Sequence, residues 1–286
     1  MHASNAPVPQ RACLSVPGSD PGKLAKAGSL GADEVVVDLE DSVAPARKDA
    51  ARENLRKLSG QVTVRVNAIG TPWCHLDVIA CVQSGAVRSI VVPKVESAGD
   101  LAFVDRLLDG AEAAADGGTR IGVQALIETP AGLARLPEIA AASRRLEALI
   151  LGYADLNASL GRPADSTEVP DIWVPAQHAV LVAARTHGLA AIDGPYLRVE
   201  DDESFRASAR HARAFGFDGK WAIHPRQLAF LVETFTPTPA EVDRARAVLA
   251  ALDGSGGVAA LDGQMLDEAI AVSARSVLAR AGEVRA

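Results

Sequence analysis

Residues 121–128 read Ile-Gly-Val-Gln-Ala-Leu-Ile-Glu, a near-continuous apolar run that ends on a carboxylate. A surface helix would show polar residues every three or four positions, and a half-buried strand would alternate. Neither period is present, so the stretch predicts a strand covered on both faces, as in a parallel sheet. Seven further runs have the same character: Ala12–Pro17, Glu34–Leu39, Val62–Asn67, Ser89–Pro93, Ala148–Gly152, Leu189–Asp193 and Phe217–Ile223. Between them lie stretches with helical periodicity, Lys23–Leu30, Arg47–Leu58, His75–Ser84, Ala98–Ala115, Gly132–Arg144, Ala176–His187 and Asp201–Phe215. Strands alternating with helices eight times over about 230 residues predict an α/β chain folded as a (β/α)8 TIM barrel. A doubly wound open sheet is the competing architecture.

The pattern changes after Phe235. Thr236-Pro-Thr-Pro239 marks a boundary, followed by a helix through Leu252, a flexible connector at Asp253–Gly257 and a last helical segment at Gln264–Arg280. We therefore expect a barrel domain over residues 1–240 and a C-terminal helical extension over 241–286. A helix beyond a complete barrel must bury its apolar stripe, and a neighbouring subunit is the expected surface.

Composition narrows the function. Of 286 residues, 48% are hydrophobic and 23% charged, as in a folded, soluble chain. A net charge of −7 argues against a nucleic-acid binder or a membrane-surface protein, and 4% aromatics disfavours base stacking. Cys13, Cys74 and Cys81 show neither zinc spacing nor a disulfide framework. The opening MHASNAPVPQ has no apolar core of a signal peptide, and no run reaches the roughly 18 apolar residues of a membrane helix. A cytoplasmic location is expected.

The polar residues gather at the ends of the strand runs. Asp38 lies near the end of the second, with Glu40 and Asp41 just after it, Arg65 and Asn67 lie in the third, and Lys94 and Glu96 follow the fourth. Glu128, Asp155 and His224 stand after the fifth, sixth and eighth, and Asp193 ends the seventh. One such carboxylate is most often a helix cap or a loop ion pair. The repetition points instead to a shared polar centre at the C-terminal face of the barrel, where the loops after the strands build active sites. Glu128 and Asp155, on adjacent strands, can converge on one hard cation and leave its other positions to water and substrate. That donor set suits Mg2+, and equally Mn2+. Zinc is disfavoured, because there is no HExxH and the histidines are scattered. Arg65 can grip a substrate carboxylate bidentately, or form an interior ion pair with one of the acidic residues. No GxGxxG after a strand, no GxxxxGK[ST] and no GxSxG is present.

The segments VPGSDPGKLAKA, VVVDLEDSVAP, VRVN, VVPKVES, LIETPAGL, LGYADL, DGPY, GKWAIHP and GQMLD occur in this order from Arg11 to about Arg280. On them the chain resembles the citrate lyase β-subunit-like group of the HpcH/HpaI aldolase superfamily, which includes malyl-CoA and citramalyl-CoA lyases. The resemblance implies a (β/α)8 barrel with a swapped C-terminal segment, assembled as a homotrimer or hexamer. It implies Glu128 and Asp155 as metal ligands, and Arg65 as the contact to the substrate's carboxylate or carbonyl oxygen. Glu40 and Asp41 would order metal-bound water. Asp267 would be an acid/base residue supplied by the adjacent subunit, although by sequence alone it reads as an exposed helix-start residue. Lys26 would contact coenzyme A phosphates, with a solvated helix lysine as the alternative. The implied activity is reversible cleavage of a 3-hydroxyacyl-CoA bearing a terminal carboxylate to an acyl-CoA and a 2-oxo acid.

Two departures accompany the resemblance. Ser15 and Asp20 stand where malyl-CoA lyases can place an aromatic and an arginine at the coenzyme A entrance. Gly161–Pro175 is short beside the loop some of those enzymes insert, which favours a citramalyl-CoA or citryl-CoA substrate. The competing functions are a citrate lyase β-subunit working with carrier-protein and transferase subunits, an aldolase of non-thioester 2-oxo acid substrates, and a non-catalytic binding barrel.

Overall fold

The computed structural model describes residues 10–58, 60–115, 120–165, 170–253 and 258–282. Nine of the ten opening residues MHASNAPVPQ, the centre of Gly161–Pro175 and most of the Asp253–Gly257 connector lie outside the described residues. Eight parallel strands close into a barrel in sequence order: β1 (Ala12–Pro17), β2 (Glu34–Asp38), β3 (Val62–Arg65), β4 (Val87–Val92), β5 (Gly122–Ile127), β6 (Leu146–Leu151), β7 (Ala190–Asp193) and β8 (Gly219–Ala222). Strand β1 pairs with both β2 and β8, so no edge remains open and the open-sheet alternative is excluded. The helices are α1 (Pro21–Ala27), α2 (Lys48–Leu55), α3 (Cys74–Ser84), α4 (Ala98–Ala114), α5 (Pro130–Ala134), α6 (Leu136–Ala140), α7 (Tyr153–Ser159), α8 (Val174–Thr186), α9 (Glu203–Phe215), α10 (Leu228–Phe235), α11 (Pro239–Asp253) and α12 (Glu268–Arg280).

Every residue of β5 is buried, which is why its sequence lacks a period. Cys13, Val36, Val91, Leu126, Ala148, Ile150, Ile192 and Trp221 meet in one apolar cluster contributed by seven of the strands. Shortening Leu126 to alanine in so closed a space would cost about 2–5 kcal/mol. At the N-terminal ends of the strands a polar group completes the filling. The buried Glu34 Oε1 accepts hydrogen bonds from Thr63 Oγ1 (2.5 Å), Arg88 Nη2 (2.5 Å) and Gln124 Nε2 (2.9 Å). Four donors in all, with Gln10 Nε2 on Oε2 at 3.1 Å, compensate the desolvation of one carboxylate.

Several expected boundaries change. The predicted helix Gly132–Arg144 is two short helices, α5 and α6, divided at Arg135. Pro137 has no N–H to continue the first helix, and stands instead in the first turn of the second. Helix α7 begins directly after β6, with Asp155 in its first turn. Near the C-terminus, Gln264–Leu266 is not helical. It is a strand, β10, paired antiparallel with β9 (Ala259–Leu261) through the turn Asp262-Gly263. Both turn residues have positive φ, 51° and 78°, the combination that Asp-Gly supplies in a two-residue hairpin. The chain divides into two compact units between Leu231 and Val232. In the second, Leu266 and residues of α11 and α12, including Val242, Ala245, Val248, Ala274 and Leu278, form a separate apolar cluster.

Candidate metal and substrate site

Successive side chains on a strand face opposite sides. Val36 and Leu126 belong to the barrel's interior cluster, so Asp38 and Glu128, each two residues further on, share that inward direction. Asp38 and Arg65 are direct neighbours across β2 and β3. Arg65 donates from Nε to Asp38 Oδ1 (2.8 Å) and from Nη2 to Asp38 Oδ2 (2.7 Å), a bidentate pair. The backbone N–H groups of Glu40 (2.9 Å) and Ser42 (3.0 Å) complete the Asp38 carboxylate. Burial pushes the Asp38 carboxyl up, but the Arg65 guanidinium outweighs it and holds the group below its ordinary value. The interior ion pair considered for Arg65 is thus formed, and its partner is Asp38. The edge not used by Asp38 carries Nη1, which lies 3.1 Å from Glu40 Oε2 and 3.5 Å from Asp41 Oδ2. Arg65 also stands over the Trp221 ring, 6.0 Å from its centroid.

Across the same mouth, Lys94 follows β4 with φ at 53°, in the left-handed region that non-glycine residues rarely adopt. Its backbone N–H donates to Glu128 Oε1 at 3.0 Å. Its Nζ donates to Glu40 Oε1 at 2.8 Å, and lies 3.3 Å from Asp155 Oδ2 and 3.9 Å from Glu128 Oε1. Glu128 is 3% exposed, and burial drives its carboxyl up to about 8. Lys94 opposes that shift, while Asp155 and Glu40 add to it. Burial likewise raises the Glu40 carboxyl against the pull of Arg65 and Lys94. Asp155 sits in the first turn of α7, where the helix dipole favours negative charge, and its side chain is 39% exposed.

Gly152 makes this packing possible. A Cβ built there would lie 2.6 Å from Glu128 Cβ and 2.7 Å from Glu128 Oε2, inside any tolerable contact. From outside, the buried Lys48 ammonium holds the turn that carries Glu40. It donates to the carbonyls of Leu39 (2.6 Å) and Glu40 (2.8 Å) and to Asn67 Oδ1 (2.6 Å). Beside α7, Asp193 accepts from Lys220 Nζ and from the Tyr153 hydroxyl, each at 2.5 Å. Asp193 and Lys220 are therefore a buried ion pair under α7.

Glu40, Arg65, Glu128 and Asp155 are thus brought together within the first compact unit. Asp41 is at their rim, with its side chain 61% exposed. Lys26 is on the exposed side of α1, and Asp20 caps that helix through a hydrogen bond from Lys23 N. Asp267 belongs to the second unit, where it caps α12 by accepting from Ile270 N at 3.2 Å. Asp38, expected from sequence to pair with a nearby backbone group or cation, has both, whereas Lys94 had no expected part beyond the end of β4. The signal was the balance of charge: three carboxylates after β2 require a cation, and Arg65 and Lys94 supply it.

Could this arrangement hold a divalent ion? Its donors are carboxylate oxygens, which suit a hard cation. Glu40 Oε2 is buried and makes no hydrogen bond, its one close cation being Arg65 Nη1 at 3.1 Å, and the Lys94 ammonium already stands as a cation among Glu40, Glu128 and Asp155. Among the described residues no group of three or more His, Cys, Asp and Glu side chains is gathered tightly enough to enclose a metal. The residues fit a site in which Glu128 and Asp155 supply two ligands and solvent or substrate the rest.

The HpcH/HpaI aldolase/citrate lyase family matches residues 11–225. Over 98% of this chain and 96% of the relative, 38% of residues are identical to L-malyl-CoA/beta-methylmalyl-CoA lyase of Rhodobacter capsulatus. A (3S)-malyl-CoA thioesterase of Cereibacter sphaeroides is 36% identical, covering 97% of this chain and 96% of its own. Among solved structures, CitE of Mycobacterium tuberculosis in complex with magnesium, acetoacetate and coenzyme A superposes with a TM-score of 0.78 at 34% identity. It covers 95% of this chain and 98% of that one.

Proposed function

The chain belongs to the HpcH/HpaI aldolase/citrate lyase family, and from that premise we propose that it is a carbon–carbon lyase dependent on a divalent metal, Mg2+ or Mn2+. Its substrate is a 3-hydroxyacyl-CoA with a terminal carboxylate, cleaved reversibly to an acyl-CoA and a 2-oxo acid. The convergence of Glu128, Asp155 and Arg65 on one mouth of the barrel carries this reading. The M. tuberculosis relative, bound to magnesium, acetoacetate and coenzyme A, supports it.

Glu128 and Asp155 would hold the ion. When bound, that ion supplies Lewis-acid polarisation of the hydroxyl oxygen and compensates the charge that develops there. Arg65, fixed in orientation by Asp38, offers its Nη1 edge to the substrate's carboxylate. The hydroxyl proton passes to solvent at the mouth, and the hydroxyl-bearing carbon becomes the carbonyl of the 2-oxo acid. The electrons of the breaking C–C bond pass to the thioester enolate, whose α-carbon then takes up a proton. Asp267 of a neighbouring subunit moves that proton, because Glu128 and Asp155 are committed to the metal. This assignment requires a homo-oligomer, trimer or hexamer, with the C-terminal extension packed on an adjacent barrel. Glu40 and Asp41 would order water beside the ion, and Lys26 would meet the phosphates of coenzyme A.

The named relatives favour malyl-CoA or β-methylmalyl-CoA over the citramalyl-CoA and citryl-CoA side that the short Gly161–Pro175 segment suggested. The thioesterase relative favours a second reading, in which the same site hydrolyses the thioester. One assay separates them. Purified protein and Mg2+ are incubated with malyl-, β-methylmalyl-, citramalyl- and citryl-CoA while 2-oxo acid and free CoA thiol are both followed. Release of 2-oxo acid without thiol is expected, and it should vanish in a folded Glu128→Ala variant. Thiol without 2-oxo acid would favour the thioesterase. Cleavage of simple hydroxy-oxo acids, offered in parallel, with no turnover of any thioester would favour the non-thioester aldolase. Co-purification with carrier and transferase subunits would favour the citrate lyase β-subunit.

A further inference from the structure

We propose that the Lys94 ammonium is the resident cation of the metal-free site, so that a divalent ion enters by exchange with it. The inference rests on the reading of Glu128 and Asp155 as metal ligands. Lys94 holds a left-handed backbone, φ 53°, without being glycine. Such strain persists only where the surroundings over-determine it, and it gathers at functional sites. Here the surroundings are carboxylates. One oxygen of Glu128 takes the Lys94 N–H at 3.0 Å, and Glu40, Asp155 and Glu128 surround Nζ at 2.8, 3.3 and 3.9 Å.

Those acidic groups come from three separate elements, after β2, after β5 and in α7. Once ionised, and without a positive charge among them, they would repel one another at close range. A divalent ion held by Glu128 and Asp155 would occupy the same neighbourhood as Nζ, and two cations cannot share it. The Lys94 side chain is 35% exposed on a flexible stem, so Nζ has solvent to move into. The apparent metal affinity is then the difference between two cations' claims on the same oxygens. The apo site stays assembled because one claimant is built into the chain.

Mn2+ binding, followed by the electron paramagnetic resonance of the free ion, tests this in wild type, Lys94→Met and Lys94→Gly. Both variants should bind Mn2+ about tenfold more tightly or better. The glycine variant also accepts the left-handed backbone without strain, so it decides the matter if the methionine variant does not fold. A variant-free measurement runs beside it. Acylation of Lys94 in wild type by an N-hydroxysuccinimide ester, mapped by mass spectrometry, should rise on addition of Mn2+. Unchanged or weaker Mn2+ binding in the variants, or Lys94 labelling indifferent to Mn2+, overturns the exchange while leaving the metal reading intact. No Mn2+ bound by wild type or variants overturns both. A merely structural lysine would weaken the site when removed, and would not tighten it.

Discussion

Burial of Glu128 makes the stability of the metal-free enzyme depend on pH in a definite direction. Its carboxyl titrates at about 8 in the folded chain against an ordinary value of 4.5. The folded state therefore holds its proton more tightly than the unfolded chain does. The resulting stabilisation is fully present below pH 4.5 and is lost as pH rises through 8. Between pH 5 and 8 the loss accrues at about 1.4 kcal/mol per pH unit, so on the order of 4 kcal/mol over the window. Other groups titrate too, and a Glu128→Gln variant isolates this one, since an amide cannot ionise. Urea denaturation at pH 5, 6, 7, 8 and 9, without divalent metal, should show wild type losing stability relative to Glu128→Gln until about pH 8, then running parallel. Adding Mg2+ should flatten the wild-type curve at the alkaline end, because the ion binds the ionised form. Curves for the two proteins that run parallel from pH 5 to 9 would refute the assignment of a strongly raised carboxyl to Glu128.

Two further outcomes are expected. Gly152→Ala places a Cβ against Glu128 and should cost about 1–3 kcal/mol with loss of Mn2+ affinity, whereas Gly110→Ala, in mid-helix with open space around it, should be neutral or stabilising by up to about 1 kcal/mol; thermal melts and Mn2+ titration of both variants check the contrast. If Asp267 serves a neighbouring subunit, inactive Asp267→Ala and Arg65→Ala chains refolded together should regain partial activity, and verified mixed oligomers that stay inactive would count against a shared site.

Much of the barrel was legible because a strand buried on both faces leaves a plain mark, as the run 121–127 does. The site was legible for a related reason. Carboxylates such as Glu128 and Asp155 interrupt apolar stretches at the same end of successive strands, and that end is where the loops converge. What escaped the reading depends on geometry rather than residue type. Lys94 gives no sign in its identity of a left-handed backbone, whose N–H is held by a carboxylate distant in the chain. Gly152 reads as the end of a strand, yet its role is to leave room for Glu128 at the end of the neighbouring strand β5. The hairpin at Asp262-Gly263 carried a local signal, but three-residue strands are too short to show alternation. A helical reading of Gln264–Leu266 absorbed them. Asp267 acts, on the proposed mechanism, in a different chain from its own barrel, and no pattern within one sequence encodes that meeting.

The apolar cluster from Cys13 to Trp221 has a kinetic meaning for such a reaction. It stands beneath the carboxylates as a dry stopper, with the Glu34 hydrogen bonds closing the far end. The barrel axis is no passage for water or protons, so substrate, products and solvent use the same opening. In a vessel with one mouth, whatever is seated deepest leaves last. For a lyase of the proposed kind, the 2-oxo acid drawn down to Arg65 would wait on departure of the acyl-CoA above it, and the order of release would follow from how the barrel is plugged.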